Sequence, residues 1–415
     1  MIQEVQQSSE PRYGWIMVAV SFVIMGLPFG ALVSISVFLK PLVAEFGWER
    51  GNTAFAYTAG SGAAGLGSIV MGWMADRFST RPVVLFGSVM LGLSLLLLSY
   101  LKTLWQLYLF YCILGGLGWA ALNVPLVTNV GQWFSRNKGL ALGIISAGGA
   151  LGMGLVPYFA RYLMIFSDWR GAYSTLAVIF WAVLVPLALL IRTPPRPAKD
   201  RNASPSGNLH GTEAVYPIAP AKFVIWLSIA VIFCCICMAT PIIHVVALAS
   251  DKGIDSQSAA GVLSLIMIAG LFGRIFFGKI ADSIGGLRTY LIASAAQTAL
   301  VFWFTQLHSL TGLYILAVLF GLGFSGVMTC ILVCVREMTP PQIGGLSLGI
   351  VTLFALIGMG LGGYQGGLFF DLTGNYTFAY ANAALAGVVN LMILYSLLLY
   401  VTRKQAALAY EMKEA

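Results

Sequence analysis

Arg274 lies inside the run from Gly261 to Asp282, which is otherwise apolar for long enough to cross a bilayer as one helix. A charge at the centre of such a helix costs about 3 kcal/mol on insertion scales, and an arginine cannot lose its proton to escape that cost. Arg274 therefore needs a polar partner or a water-filled cavity. Its planar fork of donors matches a carboxylate, so the chemistry it suits is the binding of an organic anion. A competing reading has the guanidinium pair with helix-end carbonyls or snorkel toward the nearer membrane face. Two titratable residues stand near the same chemistry. Lys40 closes the first apolar run just before Pro41, where interfacial snorkelling competes with proton handling by a lysine whose pKa moves readily on burial. His244 lies toward the outer end of the seventh run, where it is either a satisfied core histidine or part of a proton path. All 15 acidic residues fall in loops, termini or helix ends, so no run carries a carboxylate at mid-membrane depth.

Asn123, Trp119, Tyr57, Phe324, Phe354 and Tyr364 are candidates to line a cavity for the anion, with amide and hydroxyl groups fixing it and rings shaping the pocket. Packing and interfacial anchoring compete for the aromatic residues, which leaves Asn123 as the strongest lining candidate. Glycines crowd the fifth run (Gly143, Gly148, Gly149, Gly152, Gly154) and the eleventh (Gly358, Gly360, Gly362, Gly363, Gly366, Gly367), as close and slidable helix contacts require. Those glycines lie within spans and lack a lysine and hydroxyl in register, so no nucleotide site is expected. The six cysteines fall inside apolar segments and no second ligand cluster accompanies Cys234-Cys235-x-Cys237, so neither a disulfide framework nor a metal site is expected. No cofactor is implied. No nucleophile and base pair is visible either, and the chain does not read as an enzyme.

The elements that must position these residues follow from composition. With 59% hydrophobic residues, 9% charged and a mean hydropathy of +0.87, the chain is a polytopic membrane protein whose partner is the lipid bilayer. Its net charge of +8 is scattered between apolar runs and forms no patch for nucleic acid. Six apolar runs precede a polar, proline-rich stretch and six follow it, so the expected fold is all-α with twelve transmembrane helices in two six-helix halves. The boundaries are residues 1–191 for the first half, 192–220 for a solvated linker and 221–415 for the second half. Of the 23 Lys and Arg, 16 lie in loops on the side of the N-terminal leader and five on the other. The positive-inside rule then places both termini in the cytoplasm and the chain in the plasma membrane, or the inner membrane of a bacterium.

The halves also repeat a motif. Gly72-Trp-Met-Ala-Asp76-Arg77, followed by Arg81, ends the second run, and Gly278-Lys-Ile-Ala-Asp282, followed by Arg288, ends the eighth. An acid beside bases at this end is suited to latch neighbouring helices in one state of a rocking molecule, with Asp76, Arg77, Arg81, Asp282 and Arg288 as its parts. A tight polar anchoring turn would explain either copy alone but explains two matched copies less well.

Further stretches carry a resemblance: Tyr13-Gly14-Trp15, Val37-Phe38-Leu39-Lys40, Gly115-Gly116-Leu117-Gly118 with Asn123 and Pro125, Gln132-Trp133-Phe134 through Ala141, and Asp168-Trp169-Arg170-Gly171. In these the chain resembles the major facilitator superfamily, and within it the monocarboxylate transporters and their oxalate/formate exchanger relatives. The resemblance implies a monomeric carrier with one central anion site open alternately to each side, and it implicates Lys40 in proton and substrate entry. One departure is that similar monocarboxylate transporters often carry an acid one turn before the arginine, where this chain has Gly270; a second is that oxalate/formate exchangers add a lysine in the eleventh span, where this chain has none. The expected activity is therefore proton-linked transport of small monocarboxylates such as lactate or pyruvate. Proton-independent exchange of organic anions is the alternative, and a membrane substrate sensor is the alternative from another class. The topology has a direct check: a cysteine placed at Ser206 is expected to resist an impermeant thiol reagent outside intact cells, and labelling there would overturn the orientation.

Overall fold

The computed structural model describes residues 12–134, 136–193 and 216–414. Most of the expected linker lies outside the described residues, and so does the side chain of Lys40. Among the described residues the chain is helical throughout, and ten helices are long and apolar enough to span a membrane.

In chain order, span 1 crosses over Arg12–Leu39, broken at Ser34, and runs on to Phe46; span 2 is Arg50–Phe78 and span 3 is Thr80–Ser99. Span 4 is Leu104–Ile113, a π-helical turn over Leu114–Trp119, and Ala120–Trp133. Span 5 is Lys138–Phe166 and span 6 is Trp169–Leu189. Spans 7 to 12 are Pro220–Asp251, Ser256–Ile284, Gly286–Val301, Leu310–Met338, Gly344–Thr373 and Thr377–Glu414. Spans 2 and 9 complete the twelve although span 2 is interrupted by polar residues and span 9 has only 16 residues.

Many elements and motif residues of the two halves correspond at an offset of 206 positions, the distance from Asp76 to Asp282. Thr103 caps the start of span 4 by accepting from the Gln106 amide, and Ser309 caps span 10 by accepting from the Gly312 amide. Gly152 presses on the Gly26 carbonyl, and its counterpart Gly358 presses on Ile232. Span 6 meets span 3 where the Trp181 ring fills the space over Gly92. In the second half the sizes are exchanged, with Thr298 over Gly387. The turn after each repeated motif needs a positive φ, which Gly285 adopts freely at 87° and Ser79 adopts at 107° under strain.

Several motif residues lock the first half at the end where the chain begins, called here the termini end. The Tyr13 hydroxyl donates to the Leu190 carbonyl at 2.7 Å and Arg192 stacks over its ring, while Gly14 lets the Phe134 ring approach. Trp133 donates to Asn129, whose amide in turn donates to Thr80 and to the Arg192 carbonyl, so spans 3, 4 and 6 share one buried polar knot. At the opposite, distal end the Asp168-Trp169-Arg170-Gly171 motif does two things. Asp168 caps span 6 by accepting from Gly171 N at 2.7 Å, and Trp169 and Arg170 both hold Glu45, beyond the end of span 1, at 2.5 and 2.6 Å. Those donors hold the Glu45 carboxyl below its usual range, the Trp169 indole first and Arg170 second.

Candidate functional site

The halves meet along two helix pairs, span 2 against span 11 and span 5 against span 8, and small residues set how closely. Gly72 meets Gly345 backbone to backbone, and Gly139 meets Gly278 in the same way. One to two turns deeper, Gly349 lies on the Ser68 carbonyl and Gly143 on the Arg274 carbonyl. This contact brings each motif acid to the start of a helix in the other half. Asp76 accepts from the amides of Gly345 and Leu346, both at 2.9 Å, and Asp282 accepts from those of Gly139 and Leu140 at 2.6 and 2.9 Å. A carboxylate at a partly buried helix N-terminus gains up to about 2 kcal/mol from the orphan amides and the dipole. Both acids are half-buried. Of the other expected latch residues, Arg77 stacks on Trp73 and Phe78 of its own helix end, and Arg81 and Arg288 are exposed at the starts of spans 3 and 9.

Toward the distal end the halves part. A methyl group added at Gly62, Gly154, Gly360 or Gly367 would meet nothing within 4 Å, in contrast to the termini-end glycines of the same helices. The halves are thus in backbone contact at the termini end, and these distal glycines lie beside open space.

Arg274 stands just above the seal. Its Nη1 donates to the Ser146 carbonyl and, at 3.2 Å, to the Ser146 hydroxyl, so the guanidinium bridges from span 8 to span 5 of the other half. It does pair with a backbone carbonyl, as the competing reading held, but that carbonyl belongs to the opposite half and lies within a helix. The Arg274 carbonyl accepts from Thr329 at 3.2 Å, and Nε is buried with no hydrogen-bond partner among the described residues. Its repeat counterpart is Ser68, whose hydroxyl donates to the Ala64 carbonyl of its own helix. The fold at this position therefore asks only for a small residue, and the guanidinium is an addition to it.

Aromatic rings pack one helical turn from each end of the Arg274–Ser146 contact. Phe324, buried and stacked on Phe320 at 5.7 Å, faces Gly270, where a methyl group would stand 3.4 Å from the ring. The acid absent at Gly270 is thus replaced by an aromatic surface. In the first half Phe29 lies on Gly149, one turn from Ser146, and Trp119 meets Phe29 edge-on at 5.0 Å. Trp119 ends the π-helical turn, a break in register that commonly marks functional segments, and its indole N–H is buried with no partner among the described residues. Asn123 is buried one turn on, and Phe354 is half-buried in span 11. Tyr57 and Tyr364 are exposed, at 37% and 70%, and join none of these contacts.

His244 lies in the open, distal half. Its Nε2–H donates to the Gly363 carbonyl at 2.8 Å and its ring rests on Gly366. Below it, Gln365 donates to Thr240 at 2.7 Å and accepts from Asn382 at 3.1 Å, tying spans 7, 11 and 12. Lys40 is on the helix that continues span 1 past Ser34. Sequence reasoning missed Ser146, Phe29 and the buried Arg336. A comparison of the two halves at the 206-residue offset exposes Arg336, since its counterpart is Val130.

A two-half bundle whose halves touch at one end and part at the other, around a buried cation, is the architecture of a membrane transporter. The chain matches the Major Facilitator Superfamily over residues 15–305 and 225–414, and it belongs to that family. It is 25% identical to monocarboxylate transporter 2 of Rattus norvegicus, over 89% of this chain and 79% of the relative. To monocarboxylate transporter 13 of Bos taurus it is 28% identical, over 89% and 86%. Among solved structures it shares its fold with the proton:xylose symporter XylE (TM-score 0.69, 14% identity, 94% and 96% of the two chains) and with the transporter FucP in its outward conformation (TM-score 0.70, 15% identity, 92% and 99%).

If the two aspartates hold the seal, Asp76→Asn and Asp282→Asn together should shift the molecule toward the state open at the termini end. Spin-label distances between residues near the start of span 5 and the end of span 8 are expected to lengthen and broaden, and an unchanged distribution would remove the latch role.

Proposed function

We propose that this transporter carries small organic monoanions, lactate or pyruvate among them, coupled to a proton by rocking of its two halves, with the termini end facing the cytoplasm. The reading rests on Arg274: a buried guanidinium hydrogen-bonded across the halves to Ser146, at a position where the repeat has only Ser68. Its present partners are a hydroxyl and a carbonyl, both neutral, so an arriving carboxylate outcompetes them by charge. Once the anion takes the guanidinium, the bridge to Ser146 is released and the two halves are freer to move. Names borne by relatives of similar length, monocarboxylate transporters 2 and 13, support the same substrate class.

With one cation recognising substrate, a monoanion leaves no second charge uncompensated in the low-dielectric site, whereas a dianion does. The proton rides on Lys40 first and on His244 second, because no carboxylate lies at mid-membrane depth to carry it. A lysine can gain a proton as an anion arrives, since burial lowers its pKa and a nearby negative charge raises it, and the resemblance gives that role to Lys40. Exchange of anions without a proton is the alternative, and it is distinguished by transport indifferent to pH.

In proteoliposomes, Arg274→Ala is expected to abolish uptake of labelled lactate and Arg274→Lys to reduce it at least tenfold, because a point charge does not replace a two-pronged donor. Near-normal uptake by both would leave Arg274 a structural bridge. In the same vesicles Lys40→Ala should lose accumulation driven by an inward proton gradient while His244→Ala keeps most of it; unchanged accumulation in Lys40→Ala would clear Lys40 of the role.

A further inference from the structure

Arg336 is a second buried guanidinium, and the central site makes no use of it. It ends span 10 at the seal, is only 6% exposed, and its Nε and Nη1 have no hydrogen-bond partner among the described residues. It lies flat against two glycines. A methyl group on Gly131 of span 4 would stand 2.9 Å from Nε, and one on Gly344 would strike Nη1. Its position corresponds to Val130 in the first half, so packing of the repeat does not demand a charge there.

The groups that face it explain how the charge is tolerated. The Asp76 carboxylate acts on it from the first half, Lys138 adds a like charge, and Tyr216 approaches at the start of the second half. Asp76 makes no ion pair with Arg336 among the described residues, because both its oxygens are turned to Gly345 and Leu346. Arg336 is therefore compensated at a distance by an acid whose hydrogen bonds are spent elsewhere.

Rocking changes this balance in one direction. Asp76 and Gly131 belong to the first half, and Arg336 and Gly344 to the second, so opening at the termini end carries the acid and the covering glycine away together. Arg336 is left on the wall of the new cavity with its donors free and its counter-charge gone.

We propose that Arg336 is a second anion site, present only in the state open at the termini end, that takes the carboxylate of the substrate on its way between Arg274 and that compartment. The proposal rests on the monocarboxylate reading above. Arg336 is compensated by Asp76 when the end is closed and by an organic monoanion when it is open, and the two exclude each other. A ligand bound in one state only stabilises that state, so substrate in the compartment at the termini end holds this end open until it leaves.

The test is sidedness, read in proteoliposomes whose orientation is assigned by impermeant labelling of Ser206→Cys. With L-lactate as the probe, Arg336→Gln is expected to raise the half-saturation concentration on the termini side about tenfold, the loss of one charge-assisted contact, while shifting that on the distal side less than twofold. Arg336→Lys, which keeps the charge, should fall between, and it serves as the test variant if Arg336→Gln does not fold. Equal shifts on both sides, or none on the termini side, would overturn the second site while leaving the central one standing. Failure of the wild type to carry lactate or any small monocarboxylate would overturn the functional reading and this inference with it.

Discussion

Two carboxylates, each accepting from a pair of backbone amides in the opposite half, hold this molecule in the state described. The first turn of any helix has amides with no partner in its own helix, and a helix that starts inside a seal cannot give them to water. Spans 5 and 11 begin at that depth, and Asp282 and Asp76 supply the acceptors. The bonds form only because Gly139 and Gly278, and Gly72 and Gly345, bring the helices into backbone contact. Larger side chains would hold the acids out of reach. Because each acid and its amides belong to different halves, separating the halves at this end would break these bonds.

The repeat separates what the fold needs from what has been added to it. Glycine contacts, caps, turn conformations and acids recur in both halves at one offset, and together they define a symmetric, chemically quiet bundle. The departures are charged or polar. Arg274 replaces a serine, Arg336 a valine, and His244 a phenylalanine. All three lie in the second half, while the first half contributes Ser146, Phe29 and the Trp119 segment as the surface they face or move against. At the Arg274–Ser146 contact the second half supplies the guanidinium and the first half a neutral hydroxyl and carbonyl. That division suits a site whose ligand brings the opposite charge, since the anion completes an electrostatic pairing that the protein leaves unfinished.

The distal end shows the opposite economy. Glu45, Trp169 and Arg170 form a tight cluster within the first half alone, and Lys252 donates to the carbonyls of Phe304, Thr305 and Leu307 within the second. These contacts tie segments within each half and do not join the two halves. Span ends with water-facing carbonyls and amides need satisfying in any state, and contacts internal to a half do so without biasing the equilibrium between states.

By itself the sequence determined the membrane class, the twelve spans, the two halves, the repeated acids and the anomaly of Arg274. All of these follow from local hydropathy, from charge counts between runs, or from spacing along the chain. It did not determine what Arg274 touches: Ser146 is 128 positions away and is an ordinary serine in a glycine-rich run. Nor did it reveal that Asp76 reaches the start of span 11, 269 positions on, since an acid at a helix end reads equally well as an anchor or a latch. Tyr13, Trp133 and Asp168 were legible as a resemblance, and their work as local locks appeared only with their partners. Arg336 was hidden among basic residues at a span end, where positive charge is common. Only packing against Gly131 and Gly344 buries it, and burial under another half is a property of helix crossing that no single run encodes.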